Sequence, residues 1–221
     1  MVLQEALLMG YTAYGTDISD RMVDYSTRNL KWLLQETEKR SFEGPPEAGK
    51  PRISAPSPWQ TAVGAEQTES LLSVSRRRPA DDLKGRRATA TRPEKDSFSV
   101  SCGNATTFQW SQPIDAVACE GYLGRPFSKV PSEMALKEQK QACTSIALGF
   151  LRNLSGQIKS DTPIAFAVPA WLRPDSSYER LEILDEITKL GYNVNNKMRE
   201  GLLYHRDDQV VARDILILRK K

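Results

Sequence analysis

The sequence is poor in the residues that build disulfide frameworks and metal centres. Its 221 residues include three cysteines, Cys102, Cys119 and Cys143, and one histidine, His205. The cysteines are odd in number, widely spaced and set in apolar runs, so neither a disulfide framework nor a zinc site is expected. His205 falls in a predicted hairpin, where an exposed strand residue is the expected role. We therefore predict no metal site and a reducing, cytoplasmic environment.

Long apolar runs are also lacking. No run reaches the roughly 18 residues needed to span a bilayer, and no basic segment leads into an apolar signal core. Lys and Arg exceed Asp and Glu by 31 to 28, a mild excess that favours an acidic partner without requiring one. We expect a soluble protein with no membrane partner.

Regular periodicity is absent between residues 41 and 97. This segment is rich in Pro, Ser and Arg, and it cannot bury enough apolar surface to offset its chain entropy. We predict a disordered insertion over 41–97 that divides one folded domain into residues 1–40 and 98–221. The basic run over 76–92 is compatible with solvated disorder and with binding to RNA phosphates.

The first part of the chain is predicted to form a helix, a strand, an acidic exit and a second helix: residues 3–9, residues 11–14, Asp17 and residues 19–34. In nucleotide-binding α/β folds, a carboxylate after the second strand commonly accepts hydrogen bonds from both ribose hydroxyls. Asp17 has this place, although Asp is also a frequent helix N-cap. A strand and a glycine-rich turn should precede the first helix of such a fold, so we expect its first strand to be missing.

The second part of the chain alternates strands with helices before it closes. The predicted elements are strands at 98–101 and 114–119, a helix at 132–156, a buried strand at 164–168, a helix from Ser177 to Gly191, and a hairpin at 202–218 that closes the sheet edge. This order predicts a three-layer, Rossmann-like α/β domain with a mostly parallel sheet and a C-terminal antiparallel hairpin. Asp17, Asn104 and Glu120 each follow a strand, at the end where such sheets bind ligands.

Five segments carry motif-like residues in a fixed order: Glu5–Tyr11, Gly15–Ile18, Met22–Leu30, Ile114–Gly124 and Tyr204–Leu216. They resemble motifs of the RNA methylase family that contains the archaeal and eukaryotic tRNA guanine-10 N2-methyltransferases. The match covers about residues 2–36 and 98–221, and its specificity lies in the order and spacing of the motifs. The resemblance implies a class I methyltransferase sheet, S-adenosylmethionine as methyl donor and a guanine amine in tRNA as acceptor.

On the donor side, the resemblance makes Asp17, with the adjacent Ile18, the ribose ligand. Asn104, with Ala105, takes the place of the acid that reads the adenine amine in the family. An amide oxygen can accept that hydrogen bond without charge. The alternative role for Asn104 is a turn former, because Asn tolerates left-handed backbone geometry.

On the acceptor side, the family uses an acid, a backbone carbonyl and an aromatic ring from a motif of the Asp-Pro-Pro-Tyr type. The resemblance makes Glu120 the acid, the Gly121 backbone the second acceptor, and Tyr122 the ring that stacks on the base. Aligned without a gap, Gly121 and Tyr122 replace the two prolines and Leu123 replaces the aromatic, so a flexible glycine should loosen the loop. Glu120 as a solvated loop carboxylate and Tyr122 as a rim aromatic remain the alternatives.

Two other functions stay open. A DNA methyltransferase acting on an adenine or cytosine amine uses a similar acceptor motif. A non-catalytic remnant or binding module is the other, because without a central strand the edges of two predicted strands would be unpaired. RNA is the expected partner and DNA the alternative. An N-terminal RNA-binding domain or a partner chain would lie outside this sequence.

Overall fold

The computed structural model describes residues 2–42, 97–195 and 202–221. The predicted insertion lies outside them except at its ends. The elements are α1 (Val2–Leu8), β1 (Ala13–Asp17), α2 (Asp20–Phe42), β2 (Phe98–Cys102), β3 (Val117–Glu120), α3 (Glu133–Ser155), β4 (Pro163–Leu172), β5 (Tyr178–Arg180), α4 (Leu184–Lys189), β6 (Tyr192–Val194), β7 (Leu203–Tyr204) and β8 (Val211–Lys220). Within these ranges, no helix combines the length and apolarity that a bilayer crossing requires.

Two parallel strand pairs organise the fold. β1 pairs with β2, with Asp17 opposite Cys102, and β3 pairs with β4, with Glu120 opposite Ala167. Parallel neighbours require a crossover connection, and a helix lies between the strands of each pair, α2 in the first and α3 in the second. The Rossmann-like α/β class predicted from the sequence is therefore confirmed.

The described strands form two sheets, a two-stranded sheet of β1 and β2 and a six-stranded sheet. In the larger sheet the order is β3-β4-β8-β6, β5 pairs with β4 and β7 pairs with β8. The predicted hairpin forms as antiparallel β7 and β8, but β8 is an interior strand, so it does not close the sheet edge as predicted. The expectation of a mostly parallel sheet is also wrong here, because only β3 and β4 pair in parallel.

The larger core lies on one face of the six-stranded sheet. Alternate residues of β4 and β8, such as Phe166 and Leu216, pack with α3 and α4 residues, among them Phe150 and Ile187. The helix α3 begins after Ser132, whose hydroxyl accepts a hydrogen bond from the Ala135 backbone N–H. The opposite sheet face carries half-buried apolar residues: Ala165, Ala167, Ile215 and Ile217. A smaller core joins α1, β1 and α2 through Leu7, Ala13 and Leu30.

The end of α1 explains why β1 begins two residues later than predicted. The Tyr11 N–H donates to the Ala6 carbonyl at 2.9 Å and the Gly10 N–H donates to the Leu7 carbonyl at 2.9 Å. This is a Schellman closure, and it uses the positive φ of Gly10, 83°. Tyr11 therefore belongs to the helix end rather than to the strand.

The helix predicted to start at Ser177 is wrong. The Asp175 carboxylate accepts hydrogen bonds from both the backbone N–H and the hydroxyl of Ser177, which fixes a turn there. The chain then enters β5, and α4 begins only at Leu184, after Ile183 and without a side-chain cap. Leu181 is buried, but it lies before the helix.

Candidate functional site

Asp17 and Asn104 lie at the same end of the two-stranded sheet, at the carboxyl ends of its strands. Asp17 ends β1 opposite Cys102, and its carbonyl accepts a hydrogen bond from the Gly103 N–H at 2.9 Å. The half-buried Asp17 carboxylate accepts the Ser19 N–H at Oδ1, at 2.8 Å. Among the described residues, the hydrogen bond to this carboxylate is made at Oδ1, and none is made at Oδ2. Ile18 is 74% exposed beside it.

Asn104 has a local partner for its side-chain oxygen. Oδ1 accepts hydrogen bonds from the backbone N–H of Thr106 at 3.0 Å and from its hydroxyl at 2.9 Å. An amide oxygen has two lone pairs, so these bonds occupy both. The geometry matches the alternative role of Asn104 as a turn former. The carbonyl of Ala105 accepts the side-chain N–H of Asn153 at 2.9 Å, which fastens this loop to α3.

Glu120 ends β3 with its carboxylate at the sheet surface. The side chain is 51% exposed and forms an ion pair with Arg213 of β8, in which the Arg213 Nε–H donates to Glu120 Oε1. The guanidinium also lies 5.9 Å from the centre of the Tyr204 ring. Tyr122, two residues after Glu120, is 44% exposed.

Gly121 makes the loop after β3 tighter than predicted. Its N–H donates to the Ala167 carbonyl at 2.8 Å. An added Cβ would lie 2.8 Å from the Phe166 ring and 3.0 Å from the Ala167 carbonyl oxygen. The expectation of a loosened loop is therefore wrong, because this glycine permits close packing on β4.

Arg213 is a site residue that the sequence motifs did not predict. Its signal is a charged pair, Arg213-Asp214, between the apolar residues Val211-Ala212 and the apolar run 215–218 of β8. Because side chains alternate along a strand, the two residues face opposite sides of the sheet. Arg213 reaches Glu120 on one side, while the fully buried Asp214 accepts a hydrogen bond from Arg180 at 3.1 Å on the other.

The described His, Cys, Asp and Glu side chains do not cluster into a metal-binding group. Among the described residues, no group of three or more His, Cys, Asp or Glu side chains could hold a metal ion. The ring of His205 lies 5.0 Å from that of Tyr178, centroid to centroid, at an interplanar angle of 32°. Burial raises the pKa of the Cys143 thiol to about 11. Burial, assisted by the charge of Glu120, raises the pKa of Cys119 to about 11.

No family model and no curated protein match this sequence. Several solved structures resemble it in fold. TrmN from Thermus thermophilus is 16% identical, with a TM-score of 0.35, over 57% of this chain and 29% of TrmN. LepI in complex with SAM is 14% identical, with a TM-score of 0.35, over 58% of this chain and 32% of LepI. A proposed DNA modification methylase, also from Thermus thermophilus, is 13% identical, with a TM-score of 0.34, over 53% of this chain and 52% of its own.

These similarities are weak and partial. The chain spans about a third of the length of TrmN and of LepI.

Proposed function

We propose that this chain acts in an S-adenosylmethionine-dependent N-methyl transfer to an exocyclic guanine amine in tRNA. The observation that carries the proposal is the location of Asp17 and Glu120 at the carboxyl ends of two strands, β1 and β3, each of which has a parallel partner. Ligands of open α/β sheets bind at such strand ends. The motif resemblance supplies the identity of the ligands.

Of the two proposed donor ligands, Asp17 fits S-adenosylmethionine better than Asn104 does. S-adenosylmethionine, when bound, supplies an electrophilic methyl group. Asp17 fits its ribose, because Oδ2 can accept a hydroxyl hydrogen bond while Oδ1 stays bonded to the Ser19 N–H. Asn104 does not fit as an acceptor for the adenine amine, because Thr106 already occupies its oxygen. Its Nδ2 group can instead donate a hydrogen bond.

The acceptor side uses Glu120 and its neighbours. An exocyclic base amine is a poor nucleophile, because its lone pair is delocalised into the ring. Acceptors held against its two N–H bonds orient the nitrogen. Glu120 Oε2 and the Gly121 carbonyl are the proposed acceptors, and the exposed Tyr122 ring is the surface on which the base stacks.

Methyl transfer from labelled donor is the direct test. The 221-residue chain is incubated with unmodified tRNA and, separately, with duplex DNA. We expect label in tRNA, and a loss in kcat of about 100-fold or more for Glu120→Gln. The exposed Glu138 of α3 supplies the control variant, Glu138→Gln, which should retain full activity. Label only in DNA would replace the proposed substrate, and no label in either would overturn the proposed reaction.

Donor binding is tested separately by calorimetry with S-adenosylhomocysteine. Asp17→Ala should weaken binding by about 10- to 100-fold, because hydrogen bonds to charged groups are worth about 1.5–3 kcal/mol. Asp115→Ala, at an exposed residue before β3, is the matched control. Equal affinities for both variants would remove Asp17 from the donor site, and an absence of binding by the unaltered chain would remove the donor.

A non-catalytic binding module is the second candidate. The occupied oxygen of Asn104 and the ion pair of Glu120 favour it, because both side chains have partners within the chain. This candidate predicts nucleic-acid binding without label transfer in the same assay.

A further inference from the structure

Glu120 and Arg213 lie on the same face of the six-stranded sheet. Glu120 stands opposite Ala167, and Arg213 stands opposite Pro169 two residues further along β4. Side chains two residues apart share a face, and the neighbouring Phe166 points the other way, into the core with α3 and α4. The ion pair therefore lies on the face opposite to these helices, at the sheet end where Tyr122 is exposed.

Arg213 is held by more than its ion pair. Tyr204 is paired with Arg213 in the β7–β8 register. The guanidinium therefore lies over the Tyr204 ring. The Arg213 Nη1–H donates to Gln209 Oε1 at 3.5 Å. The Arg213 side chain is 30% exposed, against 51% for Glu120. The Arg213 guanidinium is therefore held by several contacts, whereas the Glu120 carboxylate is the more solvated partner of the ion pair.

The backbone at Glu120 is fixed as well. The Gly121 N–H is bonded to the Ala167 carbonyl, so only the side-chain torsions of Glu120 remain to be set. An exposed glutamate samples many rotamers, and restricting them costs conformational entropy. The Arg213 Nε–H takes one carboxylate oxygen and leaves Oε2 for another donor.

We propose that Arg213 is a positioning residue, which orients the Glu120 carboxylate so that Oε2 receives the N–H of the substrate amine. This inference rests on the proposed function. Arg213 acts through Glu120 and has no separate role in the reaction.

A kinetic double-mutant cycle tests this dependence. In the unaltered background, Arg213→Gln should lower kcat about 10-fold, with little change in the KM for the donor. In a Glu120→Gln background the same change should lower kcat by less than about twofold, because the carboxylate it positions is gone. Arg213→Lys keeps the charge but loses the planar fork and should restore only part of the rate. Equal losses in both backgrounds would overturn the proposal.

A matched arginine controls for charge. Arg152→Gln removes an exposed charge from α3 and should leave kcat unchanged. A loss equal to that of Arg213→Gln would attribute the effect to net charge and overturn the positioning role.

A measurement without turnover separates this inference from the proposed function. In a ¹H–¹⁵N spectrum of arginine side chains, the Arg213 Nε–H signal is assigned by its absence in Arg213→Lys. We expect it to shift and exchange faster with water in Glu120→Gln, and to stay unchanged in Glu138→Gln. An unchanged Arg213 signal in Glu120→Gln would overturn the inference even for an active enzyme. If the chain transfers no methyl group, the proposed function fails, and this spectrum alone decides whether Arg213 holds Glu120.

Discussion

The polar side chains at the two strand ends find their hydrogen-bond partners in opposite ways, locally at Asp17 and Asn104 and over a long range at Glu120. At the end of the two-stranded sheet, Asp17 and Asn104 each bond to a residue two positions later in the chain. At the end of the larger sheet, Glu120 bonds to Arg213, which is 93 positions away. The hydrogen bonds of Asp17 and Asn104 need only the local loop to form. The ion pair of Glu120 with Arg213 requires β3, β4 and β8 to be assembled. The first geometry is a property of loops and the second is a property of the tertiary fold.

The cores beneath the two regions differ in the same sense. Among the described residues, the larger sheet has sixteen buried residues in its cluster, and the cluster at β1 and β2 has three. A sheet of two strands buries little apolar area by itself, so its stability depends on α1 and α2, which pack against it. We expect the Asp17 region to open more readily than the Glu120 region.

Core truncation gives the largest expected effect. Phe166→Ala removes a side chain that is 1% exposed and should lower the free energy of unfolding of the larger sheet by about 3–5 kcal/mol. Leu7→Ala should instead raise hydrogen exchange only in α1, β1, α2 and β2, the elements that share its core. Peptide-resolved hydrogen exchange compares the two variants. Faster exchange in β4 and β8 of Leu7→Ala would mean that the regions open together.

A glycine substitution tests the tight loop after Glu120. Gly121→Ala should cost about 1–3 kcal/mol, because the added methyl group meets Phe166 and the Ala167 carbonyl. Gly156→Ala, at a C-cap with nothing within 4 Å of the added Cβ, should be neutral or slightly stabilising. Chemical denaturation measures both. Equal costs would show that Gly121 is not closely packed in solution.

Alkaline pH should weaken the larger core. Burial raises the pKa of Cys119 and Cys143 from 9.0 to about 11. Burial likewise raises the pKa of Tyr192 from 10.0 to about 12, a shift opposed by a hydrogen bond with Ser155. Raised values in the folded state mean that the stabilisation is complete below about pH 9 and is lost as pH rises through about 11 and 12.

The size of this effect has an upper limit. Each group can lower the free energy of unfolding by at most about 1.4 kcal/mol per pH unit. Denaturant titrations between about pH 8 and pH 11 measure the slope, and Cys143→Ala should flatten it. A stability that is constant over this range would contradict the burial of these groups.

Thiol reactivity gives the smallest effect and reports on the Asp17 region. Cys102 is exposed, whereas Cys143 is buried and Cys119 is half-buried, so Cys102 should react first with a maleimide. The hydrogen bond with Asp20, assisted by partial burial and by the charges of Asp20 and Asp17, raises the pKa of Cys102. Asp17→Asn should therefore speed the reaction slightly near neutral pH. A slower reaction would exclude an electrostatic effect of Asp17 at this thiol.

Local patterns account for the parts of the fold that were predicted. The apolar spacing and the capping residue Ser132 are enough to predict α3, and the predicted strand ends agree with the positions of Asp17 and Glu120 at the ends of β1 and β3. The turn between Asp175 and Ser177 cannot be told from a helix cap by residue type alone. A serine hydroxyl can donate to a preceding carboxylate, as Ser177 does, or accept from a following backbone N–H, as in a cap.

Long-range pairings account for the parts that were missed. The interior position of β8 depends on its pairing with both β4 and β6, which no local pattern encodes. Arg213 was missed for the same reason, since its partner comes from β3. The sequence therefore indicates where the proposed site residues lie along the strands. It does not indicate which long-range partners contact them.

The pairing of Glu120 with Arg213 also has a consequence for ionic strength. The two opposite charges leave the pair with no net charge, so an uncharged nucleoside that binds there displaces no counterions. Its affinity should vary little with salt concentration. A polynucleotide held by cationic side chains on its phosphates loses affinity linearly on a logarithmic salt scale. A salt series with a free nucleoside and an oligonucleotide would thus separate base recognition from backbone recognition in the same protein.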